Sequence, residues 1–291
     1  MRKGRKMDKD ELAKKMKTIV QSEEDVLNNM TDEGMEREAV SWYEENPNNF
    51  SKWFPKIKDC GMLVPKSKVF KVPGRVIQAF FDPVRPEEDK IITEWVRGTV
   101  MPGIKDMTAF LFIKNGTFSD KFNFNEGCFC RKNLHELVTH ITNICYEAEL
   151  CGAGGLSEII IREFIGTPYY IESNIPCIYS GMPLRPEFRV FYDFDNREVL
   201  YSVFYWDYDY CHKDIEKNAS DRIIYDSVYN NIKGFYDAHV HDVEDMIAAH
   251  MKTVDMTGKW SVDVMYNEED KTYWLIDMGT AQASAYWKEK E

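Results

Sequence analysis

The chain has 291 residues, of which 44% are hydrophobic and 14% aromatic, enough to bury a core spread over two or three lobes. Its formal net charge of -12 argues against a general nucleic-acid binder, because a phosphate backbone is held by a broadly basic surface. Seven cysteines scattered without a framework in a chain of this size read as reduced thiols, not as disulfide staples.

Arg2, Lys3, Arg5 and Lys6 make the start basic, yet no apolar run follows them. Neither a secretory signal nor a membrane span is therefore expected, and the expected location is the cytoplasm. Residues 8–46 are dense in Lys, Glu, Asp and Met, with Leu12, Met16, Ile19, Val20, Val26 and Leu27 at helical spacing. This predicts one or two amphipathic helices in an N-terminal arm, 1–60, whose charge is a solvated face. Trp42, Tyr43, Trp53 and Phe54 mark where the arm packs, on its own chain or on a partner.

Gly61 and Pro65 open a new region with a strand near Val69 and Phe70. Pro86 predicts a helix that carries Ile91, Ile92, Trp95 and Val96. Asn133 predicts another by capping it, with Leu134, Leu137, Val138, Ile141, Ile144 and Cys145 along one stripe. Between them an apolar strand, Ala109–Ile113, runs into Lys114-Asn115-Gly116-Thr117-Phe118-Ser119-Asp120-Lys121. Small residues and two lysines after a buried strand are one way to hold phosphates, and an exposed hairpin turn is the other reading. Cys128 and Cys130 form a C-x-C pair with no second pair nearby, so ordinary packing is expected rather than zinc. His239 and His241 lie in no ligand pattern.

Glu158–Ile165 is a continuous apolar run broken by Arg162-Glu163, which predicts a strand buried on both faces that emerges into a cleft. In the next strand, Leu184–Tyr192, Glu187, Arg189 and Phe191 share a face. A partner strand follows at 198–206 and a helix at 220–251. The chain ends in two strand-like runs separated by Asn267–Lys271, a hairpin whose arms carry Asp263 and Asp277. The turn places the two carboxylates opposite one another or one diagonal step apart. Like charges that close need a cation between them, such as magnesium, or an Arg or Lys for each; both readings stand.

Taken in order, Val64-Pro65-Lys66-Ser67, the Lys114 loop, a helix, a strand ending in Arg-Glu, the Glu187-Phe188-Arg189 strand and an acidic hairpin resemble the ATP-grasp superfamily. Over about residues 61–287 the chain is similar to the branch that holds the cell-division-cycle protein 123 homologues and the ligase-like proteins of bacteria and their phages. The resemblance implies an α+β ATP-grasp fold, two α+β subdomains (61–157 and 158–291) whose antiparallel sheets clasp ATP, behind the helical arm. It implies that Lys114 contacts the phosphates, that Ser119 and Lys121 sit on a mobile loop closing over them, and that Arg162, Glu163 and Phe164 receive adenine and ribose. Arg189 would reach the triphosphate, with Glu187 beside it in the nucleotide set, and Asp263 and Asp277 would hold Mg2+. Where the family has an Asn ligand, this chain has Gly279.

The implied activity is ATP- and magnesium-dependent ligation of a carboxylate to an amine through an acyl phosphate, with Lys114 and Arg189 offsetting charge on the phosphoryl group. The other reading is an ATP-binding assembly factor or chaperone for a client protein, without ligase turnover. A nucleic-acid-end ligase is disfavoured by the acidic balance and by the spacing of Gly116 from Lys114.

Overall fold

The computed structural model describes residues 46–81, 86–153, 156–168, 175–215 and 218–288. Apart from Asn46, the stretch 8–46 expected to be helical lies outside them. Helix α1 (Phe50–Ile57) buries Phe50, Trp53 and Ile57 in the chain's own core, so this end of the arm packs inward. Among the described residues no helix is long and apolar enough to cross a membrane.

The strands form two four-stranded antiparallel sheets and one short hairpin, β5 (Cys177–Ile178) with β6 (Met182–Pro183). The first sheet has the order β1 (Ser67–Lys71), β4 (Glu158–Glu163), β2 (Phe110–Asn115), β3 (Phe129–Arg131). The second has the order β10 (Thr272–Thr280), β9 (Lys259–Asn267), β7 (Glu187–Asp193), β8 (Glu198–Phe204). A boundary at 157/158 would put β4 in the second subdomain, yet its pairing with β1 and β2 puts it at the centre of the first sheet. The reason is its composition: Ile159, Ile160 and Ile161 are all fully buried, which only a central strand covered on both faces allows.

Ile159 and Ile161 face one core, shared with helices α2 (Gly74–Phe81), α3 (Pro86–Trp95) and α4 (Leu134–Leu150); Ile160 faces the other. Helix α4 starts where Asn133 predicts. Its Oδ1 accepts from Glu136 N at 3.0 Å while its Nδ2 donates to Glu136 Oε1, also at 3.0 Å. Cys128, Cys130 and Cys145 are buried free thiols whose pKa burial pushes well up. Helix α5 (Tyr208–Ile215) precedes α6 (Ala219–Met251), which runs under the second sheet. Phe188, Val190, Tyr192 and Val262 point down into this second core, where Phe188 stacks on Tyr236 at 5.2 Å between ring centres. Alternation then sends Glu187, Arg189 and Asp263 up, toward the first sheet.

Candidate functional site

Between the two sheets lies a pocket of about 810 Å³, counted to its open mouth. The first sheet and the loop after β2 supply Phe112, Lys114, Ser119, Lys121, Phe124, Arg162, Glu163 and Phe164; the second supplies Glu187, Asp263 and Asp277. Nine of the ten residues singled out from the sequence therefore line one cavity. The tenth, Arg189, sits behind Asp263, its register partner on the next strand.

The hairpin makes this possible through one irregularity. From Thr272↔Asn267 to Leu275↔Val264 the register is regular, and continued without change it would set Asp263 opposite Ile276, on the other face from Asp277. A β-bulge between Leu275 and Asp277 shifts the register by one residue and puts Asp277 directly opposite Asp263. Leu275 stays in the core, Asp277 turns into the cleft, and the carbonyl of Ile276 accepts a hydrogen bond from Arg162 Nη1.

Each carboxylate meets a cation. Arg189 holds Asp263 by a two-pronged bond, Nε to Oδ1 at 2.8 Å and Nη2 to Oδ2 at 2.7 Å. Lys114, 4% exposed, donates from Nζ to Asp277 Oδ2 at 2.9 Å and Oδ1 at 3.1 Å, which ties the first sheet to the second. Burial pushes the Asp277 carboxyl up, but Lys114 and Arg162 outweigh it and hold it below its ordinary range. Burial would lower the Arg189 guanidinium, and Asp263 more than reverses this. The arrangement is the one with an Arg or a Lys for each Asp. Among the described residues no group of three or more His, Cys, Asp or Glu side chains could hold a metal ion. One or two carboxylates completed by phosphate oxygens remain a suitable donor set for Mg2+.

Arg162 differs from the other cations. It is 4% exposed, and its Nε and Nη2 are buried without a hydrogen-bond partner among the described residues. Burial pushes its pKa down to about 10, although Asp277 resists the shift. Its guanidinium carbon lies 5.4 Å from the centre of the Phe50 ring, and Lys114 Nζ lies 6.0 Å from it.

Lys121 donates to the Tyr205 hydroxyl and lies 4.7 Å from that ring's centre. Burial opposes its charge, but Tyr205 and Glu187 raise its pKa overall. The loop carrying it is anchored: Phe124 N donates to Tyr179 O at 3.0 Å, and Asn115 Oδ1 accepts from the amides of Thr117 and Phe118. Gly116 faces protein and not the cavity. A Cβ there would meet Asn49 Oδ1 at 2.4 Å and Glu158 Oε1 at 2.7 Å, and its carbonyl accepts from Phe50 N at 2.9 Å. Glu163 reaches the pocket wall with its carboxylate engaged by Thr108 N at 3.0 Å. Phe164 completes an aromatic wall, 6.2 Å from Phe124, which is in turn 6.3 Å from Phe112.

Glu187 is 5% exposed and lines the pocket. Burial pushes its pKa from 4.5 up to about 7, against the pull of Lys121. A carboxyl raised in this way binds more protons folded than unfolded. Its contribution to stability is full below pH 4.5 and is lost as pH rises toward 7. Urea unfolding across that interval should show wild type losing stability relative to Glu187→Gln; parallel profiles would mean that the group titrates normally.

Several contributors carried weak sequence signals. Phe112 sits two residues before Lys114 on the same strand face, and Arg185 two before Glu187, so strand parity alone would have flagged both. Arg185 is buried and bonds Asn267 Oδ1 at 2.6 Å and Glu269 Oε1 at 3.2 Å. Glu269 also accepts from Thr167 N at 2.7 Å, so the segment leaving β4 is latched to the hairpin loop. Asn48 leaves no periodic trace in the sequence. Its Oδ1 accepts from Thr280 N at 2.6 Å and lies 3.6 Å from where a Cβ on Gly279 would be, so an amide from the N-terminal segment lies against this glycine.

The fold and pocket define an α+β protein with two antiparallel sheets facing one charged cleft, the architecture implied by the ATP-grasp resemblance. No family model and no curated protein matches the chain. Among solved structures it is similar to Cdc123 from Schizosaccharomyces pombe, at 14% identity and a TM-score of 0.48 over 86% of this chain and 88% of that one. It is also similar to the biotin carboxylase domain of 2-oxoglutarate carboxylase from Hydrogenobacter thermophilus, a complex with MgADP and bicarbonate (10% identity, TM-score 0.40, 81% of this chain and 40% of that one). A third is the VanG D-Ala:D-Ser ligase from Enterococcus faecalis (13% identity, TM-score 0.35, 80% of this chain and 52% of that one). Likeness at this level gives no residue a role.

Proposed function

We propose that the cleft binds ATP and uses it to activate a carboxylate for attack by an amine. The observation that carries this is Arg162, a buried guanidinium with two nitrogens that have no partner among the described residues, in a pocket that also holds Lys114 and Lys121. A buried cation left unsatisfied is costly unless an anion completes it. The lining is also aromatic, with Phe112, Phe124 and Phe164. Cations for a polyanion and an aromatic wall for a flat heterocycle suit a nucleoside triphosphate.

In this reading Lys114, Lys121 and Arg162 bind the phosphates, which departs for Arg162 from the adenine and ribose role that the resemblance implies, and the aromatic wall receives the base. Transfer of the γ-phosphoryl group to the carboxylate gives ADP and an acyl phosphate, from which the amine displaces phosphate. Lys114 would offset charge on the moving phosphoryl group directly and Arg189 from behind Asp263, and positioning would supply much of the acceleration. Asp263 and Asp277 would hold Mg2+, which when bound neutralises phosphate oxygens.

A second reading, ATP binding in the service of a client protein without turnover, is favoured by two features. Both oxygens of Asp263 are engaged by Arg189, and Gly279 offers no side-chain ligand. Calorimetric titration of ATP with and without Mg2+, followed by phosphate release, separates the two. For the ligase, binding to wild type strengthens with Mg2+, and Asp277→Asn abolishes release while the protein stays folded. A folded Asp277→Asn protein with full release would reject the assignment. Binding without release in wild type selects the client-protein reading.

A further inference from the structure

The pocket ends at the Arg189–Asp263 pair, but the sheet face does not. One step along the register come Phe191 and Ser261, paired across β7 and β9, with Gly279 beside Ser261 on β10. This continuation is covered by residues 284–288 of the chain itself. Ser284 Oγ lies 2.7 Å from Ser261 Oγ. Arg189 Nη1 donates to Ala285 O at 3.4 Å, while the Tyr201 hydroxyl donates to Tyr286 O at 3.2 Å and accepts from Lys288 N at 2.7 Å. The Trp287 ring centre lies 5.3 Å from that of Phe191 and stacks on Tyr201 at 6.1 Å.

Three of these contacts are to main-chain carbonyls and an amide, groups that every polypeptide carries, and one aromatic side chain lies against two others; the side-chain bonds particular to this segment are Ser284 Oγ with Ser261 Oγ and the Tyr286 hydroxyl, which donates to Tyr205 O at 3.2 Å. The segment also fits imperfectly. Tyr286 has a φ of +69°, a left-handed conformation that non-glycine residues rarely adopt, and the buried Trp287 indole N–H has no hydrogen-bond partner among the described residues. A segment under backbone strain and with an unsatisfied donor costs less to displace than one with every group satisfied.

We infer that this sheet face is a peptide-binding subsite, occupied here by residues 284–288, and that it takes an external polypeptide segment presenting an aromatic residue when that strap leaves. The subsite abuts the nucleotide pocket through Arg189, so a bound segment would end beside the phosphates. That joint role rests on the ATP reading; the peptide subsite does not.

The test uses a fluorescent octapeptide with the sequence of residues 281–288, added without nucleotide to the full-length protein. In wild type the tethered strap competes at an effective concentration of about 1 mM, which suppresses binding in trans. Trp287→Ala weakens the competitor, so the peptide should bind this variant about tenfold more tightly than wild type, the size of effect expected for one lost aromatic contact. Trp287→Phe should behave like wild type, and a peptide lacking its tryptophan should not bind. No binding to a folded Trp287→Ala protein, or equal binding with and without the peptide's tryptophan, would overturn the inference. Hydrogen exchange on wild type gives an independent check should the variant not fold: amides of 286–288 should exchange at least about tenfold faster than those of β7 and β9, and equal protection would overturn the displaceable strap. Because no nucleotide is present, a failure to bind ATP would remove the functional reading above and leave this one standing.

Discussion

Arg162→Met is expected to destabilise the fold only modestly and to remove most of the affinity for ATP. In the folded protein the guanidinium keeps one hydrogen bond, to Ile276 O, and two nitrogens without partners among the described residues. Asp277 keeps its Lys114 partner in the variant, so the loss is that of one hydrogen bond and a secondary charge contact, about 1 to 2 kcal/mol. Charge-assisted hydrogen bonds to phosphate contribute about 2 to 3 kcal/mol, so the Kd for ATP should rise roughly 30- to 150-fold. Urea unfolding and calorimetric titration on the same samples read both quantities. A variant that loses several kcal/mol while binding ATP as before would make Arg162 a structural residue and remove the main support for the functional reading.

Arg189→Met should do the opposite and destabilise strongly. It strands Asp263, whose side chain is 6% exposed, with neither of its guanidinium bonds. Breaking one side of a buried pair costs about 3 to 5 kcal/mol, whereas replacing both sides by apolar residues is often tolerated. The double variant Arg189→Met/Asp263→Leu should therefore recover most of the loss, and a double-mutant cycle in urea measures the recovery. Additive losses would mean that the two side chains do not act as a pair. Lys114→Met should cost less, because Asp277 keeps 34% of its side-chain exposure and Arg162 remains beside it.

These two expectations concern residues visible in the chain without coordinates, yet the roles they test are not all legible there. Local chemistry is enough to delimit the strands and caps. β-Branched and aromatic runs around a charged turn mark β9 and β10, Asn133 with Glu136 marks the start of α4, and three isoleucines in a row mark a strand covered on both faces. Alternation along β7 is enough to put Glu187 and Arg189 on one face. The same local patterns, joined to the order of motifs, bring nine of the ten chosen residues to one cavity. For strand 158–163 hydrophobicity reports burial and says nothing about which neighbours, here β1 and β2, bury it.

What the sequence carries about this protein is its set of strands, its caps, and the charged residues that interrupt them. Each follows from periodicity and backbone preference within a few residues, so each is encoded locally. Three decisions were made elsewhere in the chain. The one-residue bulge that turns Asp277 to the same face as Asp263 lies where Arg162, from the other sheet, binds the Ile276 carbonyl. The seating of Phe50 under two cations and of Asn48 against Gly279 joins segments far apart in the chain. The covering of Phe191 and Ser261 by residues 284–288 does the same at the far end of the cleft. All three depend on contacts between distant segments, whose energies exist only once those segments are brought together, and no local pattern of residues records them.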